Sequence, residues 1–325
     1  MGELKNGMLV RHASLGLGKV VALEAKAVHV FFAASEERFA TKLRLPLALP
    51  LLTPAVGASG WLSGLADFAL DAKTGRYGLA ATWLSHADAV ARFREVFPGG
   101  FEDPGYAGDG ADRRDRASRW RRAHQAYVEK LGGGEGERLL AAGDVDELVE
   151  RSLVVERLVR PLLPNAVKAS FEEALADRAA ARGYFAALFD VLAAPAADPA
   201  RFEALAAAVE ALPSAHPLES SWPIVTLLPF IARPDVHMAL GSRSACDVAH
   251  RLGHELAYDP RPNWATYSAL LASAATLLEK LRPLGARDHV DVDAFMHVVT
   301  MKRPAPKAVA TMSGPAPKGK VRLVT

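Results

Sequence analysis

The residue types that could carry chemistry gather in three places along the chain. Near the start, "LGLGKVV" sets Gly16, Gly18 and Lys19 in an order that could cradle a phosphate. Midway, "RRDRASRWRR" (113–122) groups six arginines around one tryptophan. Late in the chain, His250 and His254 are followed by "RDHVDVDAFMH", which holds Asp288, His289, Asp291, Asp293 and His297.

Each motif can be set against what its chemistry requires. A phosphate loop places a glycine five residues before its Gly-Lys pair and a Ser or Thr hydroxyl directly after it, so that backbone N–H groups and the hydroxyl hold phosphate and magnesium. Ala13 and Val20 occupy those positions. A dinucleotide fingerprint needs a third glycine and a following helix, and neither is present. Nucleotide chemistry is therefore excluded at this segment.

The arginine run suits phosphate contacts, since guanidinium forks pair with phosphate oxygens and a neighbouring indole can stack on a base. On a helix, Arg113, Arg116 and Trp120 share a face, while Arg114, Arg119, Arg121 and Arg122 spread around it. Pairing with acidic residues of the same chain is the other reading of this run.

His250 and His254 have the i, i+4 spacing that sets two imidazoles on one helix face. Arg251 stands where a zinc protease would carry its glutamate. Asp291 and His297 are further candidate ligands, although Asp288 and Asp291 can equally cap the helix that follows "LGARD". These four residues (His250, His254, Asp291 and His297) are the candidate metal site of an alternative reading, a metal-dependent enzyme with its site in the helical domain. No Gly-x-Ser-x-Gly elbow occurs, and the single cysteine, Cys246, reads as a small buried filler. No catalytic residue and no cofactor are assigned.

The elements that must position these residues change character along the chain. Residues 5–45 hold four β-rich segments, "GMLVRH", "GKVVALE", "AVHVFF" and "ERFATKLRL", separated by turn-prone stretches. In "AVHVFF" the alternation of Val28 and Val30 with His29 and Phe31 predicts a half-buried strand. The spacing predicts a small β-barrel over 1–48, since closure removes exposed edges. A proline-rich connector over 49–60 follows, then a mainly α-helical domain over 61–300. The overall class is thus α+β. Predicted helices cover 112–131 and 144–160, and another follows Ser170 and Glu173, which have capping-box spacing. Two more begin at Asp198–Pro199 and at Asn263. The aromatic-rich stretch 222–267, with Trp222, Phe230, His237, Met238, Tyr258, Trp264 and Tyr267, reads as a core or as a groove for a peptide or base.

Charge is uneven. Residues 1–48 carry seven Lys and Arg against four acids, and residues 301–325 carry six basic residues and no acid. With an overall charge of +2, the middle of the chain is −7. The last 25 residues, with two Pro-Ala-Pro-Lys boxes, read as a basic flexible tail. One cysteine, no long apolar run and no secretory leader suggest a cytoplasmic protein.

The order "GMLVRH", "LGLGKVV", "AVHVFF", with matching positions Val10, His12, Gly16, Gly18, Val20, Val30, Phe31 and Phe32, resembles the Tudor-like, SH3-type barrel family. That family includes the RNA-polymerase-interacting domain of CarD-type regulators and of RapA, and the C-terminal module of UvrD-type helicases. Leu15 departs from its pattern, which commonly has an aromatic before the first glycine. The resemblance implies a non-catalytic docking module that binds nucleic acid, or a polymerase- or helicase-type protein, in a bacterial setting. Arg11, His12, Lys19, Arg38, Lys42 and Arg44, with the 113–122 run, are the expected partner contacts. A protein-interaction scaffold without nucleic-acid affinity is the third reading.

Overall fold

The structure is a computed structural model that describes residues 4–32, 39–58, 60–66, 68–79, 84–106, 116–162, 172–213, 221–241, 249, 252, 254, 256 and 258–300. Arg38, Arg113, Arg114, Ser170, Cys246, His250 and the basic tail lie outside the described residues.

The class is α+β, with an antiparallel sheet at the N-terminal end. Its strands are β1 (Leu9–His12), β2 (Gly16–Leu23), β3 (Ala27–Phe32) and β4 (Thr41–Arg44), followed by a single helical turn, α1 (Leu45–Ala48), and a last strand, β5 (Leu52–Pro54). The spatial order is β4-β3-β2-β1-β5, every neighbouring pair antiparallel. No described pairing joins β5 to β4, so these strands do not close into a barrel. Pro46 enters α1 at its first turn and ends β4 after four residues, while β5 runs for only three. Strands this short leave little ladder with which to close a sheet. The segment expected as a plain connector thus contributes a strand, with Val10 opposite Pro54 and His12 opposite Leu52.

All six residues of β3 are buried, not the expected half. Val28, Val30 and Phe32 point into one core with Val10, Val20, Ala48 and Leu52. Phe31 points into a second core with Leu9, Ala40, Leu62 and Leu79. The second face is covered by elements absent from the sequence reading, α2 (Gly60–Gly64) and a hairpin of β6 (Phe68–Asp71) and β7 (Arg76–Leu79). Phe31 meets Phe68 at 5.4 Å between ring centroids, and His29 meets Tyr77 edge-on at 4.9 Å. Asp71 builds the hairpin turn by accepting from the N–H groups of Lys73 and Thr74, and Gly75 takes φ 63°.

The helical part comprises α3 (His86–Val96), α4 (Arg116–Lys130), α5 (Glu135–Ala142), α6 (Val145–Val159), α7 (Arg178–Ala193), α8 (Pro199–Glu210), α9 (Ser221–Ala232), α10 (Trp264–Leu281) and α11 (His289–Thr300). One cap forms as the sequence predicts, and a second holds the helix expected after Asn263. The Asp198 carboxylate accepts from Arg201 N–H and the Asn263 amide oxygen from Thr266 N–H. Residues 172–174, after Ser170, are helical; a turn at 175–177 follows, and α7 starts at Arg178, where Asp177 caps it by accepting from Ala179 and Ala180. At the centre, α9 is apolar on every side and packs against α4, α7 and α8. Trp222, Phe230, His237, Met238 and Tyr267 are buried there and Tyr258 and Trp264 half-buried, so the aromatic stretch is core and not an open groove.

The two glycines of "LGLGK" do different work. Gly16 takes φ 74° in the β1–β2 turn, a conformation that suits glycine. Gly18 lies inside β2, where an added Cβ would come within 2.7 Å of both Phe32 and Val30. Gly18→Ala is therefore expected to overpack the first core and cost roughly 1–3 kcal/mol. Urea unfolding of the variant would show this as a lower midpoint; an unchanged midpoint would contradict the packing account.

Candidate functional site

Sequence reasoning offered the arginine run and the late Asp/His cluster as separate sites, and the structure joins them. Arg116 forks onto Asp293, with Nε to Oδ2 at 2.5 Å and Nη2 to Oδ1 at 2.9 Å. The Trp120 indole N–H donates to the same Asp293 at 2.9 Å. Arg121 forks onto Asp288 and also donates to Asp291 at 3.0 Å. Asp291 is fully buried and further accepts from the Tyr106 hydroxyl at 2.8 Å and from Arg287 N–H at 2.8 Å. Asp288 caps α11 by accepting from Val290 N–H. Burial works against the charge on Arg116 and Arg121, and their carboxylate partners more than offset it, so both pKa values are raised. This seam ties the first turn of α11 to the first two turns of α4.

The seam accounts for much of the expected nucleic-acid surface. Arg116, Trp120 and Arg121 hold carboxylates of their own chain. Arg119 is half-buried, and Arg122 is exposed with Nε directed to the Ser118 carbonyl at 3.4 Å. Of the expected metal ligands, His250 lies outside the described residues. Among the described residues no group of three or more His, Cys, Asp and Glu side chains is placed to hold a metal. Asp291 has both oxygens engaged, and burial holds His254 near a pKa of about 4, with Lys280 adding to the effect. The pKa of His297 is lowered as well, first by burial.

In the N-terminal part the cations divide. Lys19, expected to face a partner, turns inward, because its register opposite Phe31 puts it on the face covered by α2. Its ammonium donates to the Ser63 and Leu65 carbonyls, each at 2.5 Å, and burial lowers its pKa. The His12 ring accepts from Ser14 N–H and Leu15 N–H through Nδ1 and so pins the β1–β2 turn. Lys42 is exposed but paired with Glu24 at 2.9 Å, and Glu24 also meets His29 at 2.7 Å. Arg11 is exposed on β1.

Beside these lies a groove of about 620 Å³, lined by Ala25, Lys26, Arg44, Leu45, Pro46 and Leu49. It forms where α1 leaves the sheet, and Leu45 N–H bonds to the Lys26 carbonyl at 2.9 Å to hold its base. Lys26 and Arg44 are exposed, and neither pairs with a carboxylate among the described residues. Of these lining residues the sequence reading identified only Arg44. The available signal was "LRLPLALPLL", a leucine-rich segment too broken by proline to bury itself in a long helix.

The architecture is that of an α+β protein with an N-terminal antiparallel sheet packed on both faces and a helical part closed by an Asp–Arg seam. No family model, curated protein or solved structure matches the chain.

Two outcomes follow from the buried polar groups. Arg121→Ala leaves Asp288 and Asp291 without their principal cation and is expected to cost about 3 kcal/mol. Arg122→Ala, on the exposed side of α4, is expected to stay within about 0.5 kcal/mol. Equal costs in chemical denaturation would contradict the seam. The second outcome concerns His237, whose pKa burial lowers from 6.5 to about 4. Between those values the unfolded chain binds a proton that the folded chain does not, so stability falls as pH drops through this window. The loss reaches about 3 kcal/mol at 1.36 kcal/mol per pH unit. His237→Gln is expected to flatten the stability curve over that window, and a curve parallel to that of the unaltered protein would contradict it.

Proposed function

We propose that this chain is a non-catalytic docking protein whose N-terminal part, a module of the Tudor-like, SH3-type barrel kind, receives a protein component of a nucleic-acid machine such as RNA polymerase or a helicase. The observation that carries this reading is the groove at Lys26 and Arg44, where exposed cations without carboxylate partners among the described residues adjoin an apolar wall. Five of the eight most exposed large hydrophobic residues among the described ones fall between residues 23 and 56: Leu23, Leu47, Leu49, Leu51 and Val56. Leu49 lines the groove itself, and Leu47 and Leu51 flank it in sequence.

The Asp–Arg seam weighs against the arginine run as a phosphate-binding surface, since a row of outward cations is what neutralises a phosphate backbone. The helical part then serves as the body that carries the module, and no helix among the described residues is long and apolar enough to cross a membrane.

The test is to present the full chain with bacterial core RNA polymerase, with a UvrD-type helicase, and with duplex and single-stranded DNA across a salt series. The expected result is binding to one of the two proteins, with cross-links from Lys5, Lys26 or Lys42, and DNA binding that vanishes towards physiological salt. Binding to neither protein, or tight DNA binding that survives physiological salt, would overturn the reading.

A further inference from the structure

The groove has two chemically distinct walls. Lys26 comes from the β2–β3 turn and Arg44 from the end of β4, and the pairing of Ala27 with Arg44 sets these two segments side by side. Leu45, Pro46 and Leu49 of the α1 segment form the apolar wall, and Leu47 and Leu51, 65% and 49% exposed, extend the apolar surface next to it in sequence. Glu24 neutralises Lys42, two residues from Arg44, and among the described residues no carboxylate pairs with Lys26 or Arg44 of the groove.

Charge, wall and size together select an occupant. Two cations call for one or two anionic groups, fewer than a phosphate backbone lays along its track. An aliphatic wall rewards burial of aliphatic side chains, which nucleic acid does not offer. A volume of about 620 Å³ lies within the range of small-ligand and side-chain pockets, about 300–1,000 Å³, and holds a short segment, not a folded domain.

Resting on the docking reading above, we propose that the groove receives a short acidic peptide segment of the partner protein. Its carboxylates engage Lys26 and Arg44, and an adjoining Leu, Ile, Val or Phe packs against Leu45, Pro46 and Leu49. The pairs are charge-assisted, and binding weakens with salt.

Random-peptide phage display on the immobilised full chain, followed by fluorescence anisotropy of the enriched peptides, tests this directly. The expected result is enrichment of sequences in which Asp or Glu adjoins an aliphatic or aromatic residue. Lys26→Glu/Arg44→Glu and, separately, Leu49→Asp are each expected to weaken binding at least about tenfold. The substituted side chains are exposed, and unchanged thermal unfolding confirms that each variant is folded. No enrichment, enrichment of basic or uncharged sequences, unchanged affinity in the double variant, or displacement of the peptide by a DNA oligonucleotide at equal concentration would overturn the proposal. If the peptide result fails while the full chain still binds polymerase or helicase, the occupant is wrong and the docking reading stands. If both fail, both fall.

Discussion

The buried carboxylate of Asp291 is the constraint on which the helical part depends. A carboxylate removed from water needs donors on every side, and Asp291 finds them in Tyr106, Arg121 and the Arg287 backbone. Those donors come from three separate stretches of chain, so satisfying one side chain fixes where α4, α11 and the turn before α4 meet. Asp288 and Asp293 repeat the arrangement on either side, with Arg121 and Arg116 as their partners. Around this seam the apolar packing follows. Phe93 of α3 meets Phe295 of α11 at 5.3 Å, and Trp120 of α4 meets Phe230 of α9 at 4.9 Å. Histidines extend the same logic, as His124 and His289 each bond a backbone carbonyl, of Ile231 and His237.

The seam also bears on function, because an arginine that holds an aspartate is not available to a phosphate. What the helical part spends internally, the N-terminal part retains at its surface. Lys19 goes to the carbonyls at the end of α2 and Lys42 goes to Glu24, while Lys26 and Arg44 remain beside leucines that nothing described covers. The sheet can afford no further apolar exposure on its faces, since both are packed. The surplus collects on the α1 segment, where Pro46 and Pro50 prevent a longer helix that would bury it.

How much of this was legible in the sequence follows from the range of each signal. Strands β1, β3 and β4 lie within the segments that local β-propensity marked, β2 begins two residues before its segment, and the Asp198 cap depends on residues three apart, so these were readable. The β6–β7 hairpin was also a local signal, in "FALDAKTGRYGL", but it fell inside a region read as helical. The pairing of Arg116 with Asp293 and of Arg121 with Asp288 spans more than 160 residues, and nothing local says which carboxylate a given arginine meets. Gly18 shows a subtler limit: the need for a glycine there comes from the closeness of Phe32 and Val30 on the neighbouring strand, which no local pattern reveals. The groove has no chemical motif, only the proline-broken leucines of "LRLPLALPLL". It forms where α1 follows β4 at the edge of the sheet, and only Arg44 drew notice, through its charge.

Hydrogen–deuterium exchange of the full chain, alone and with its bound partner, tests most directly the division between a structural seam and a docking groove. The account expects slowed exchange at residues 25–27 and 44–49 on binding, with the first two turns of α4 unchanged. Slowed exchange confined to residues 116–122, with the groove segments unaffected, would contradict it.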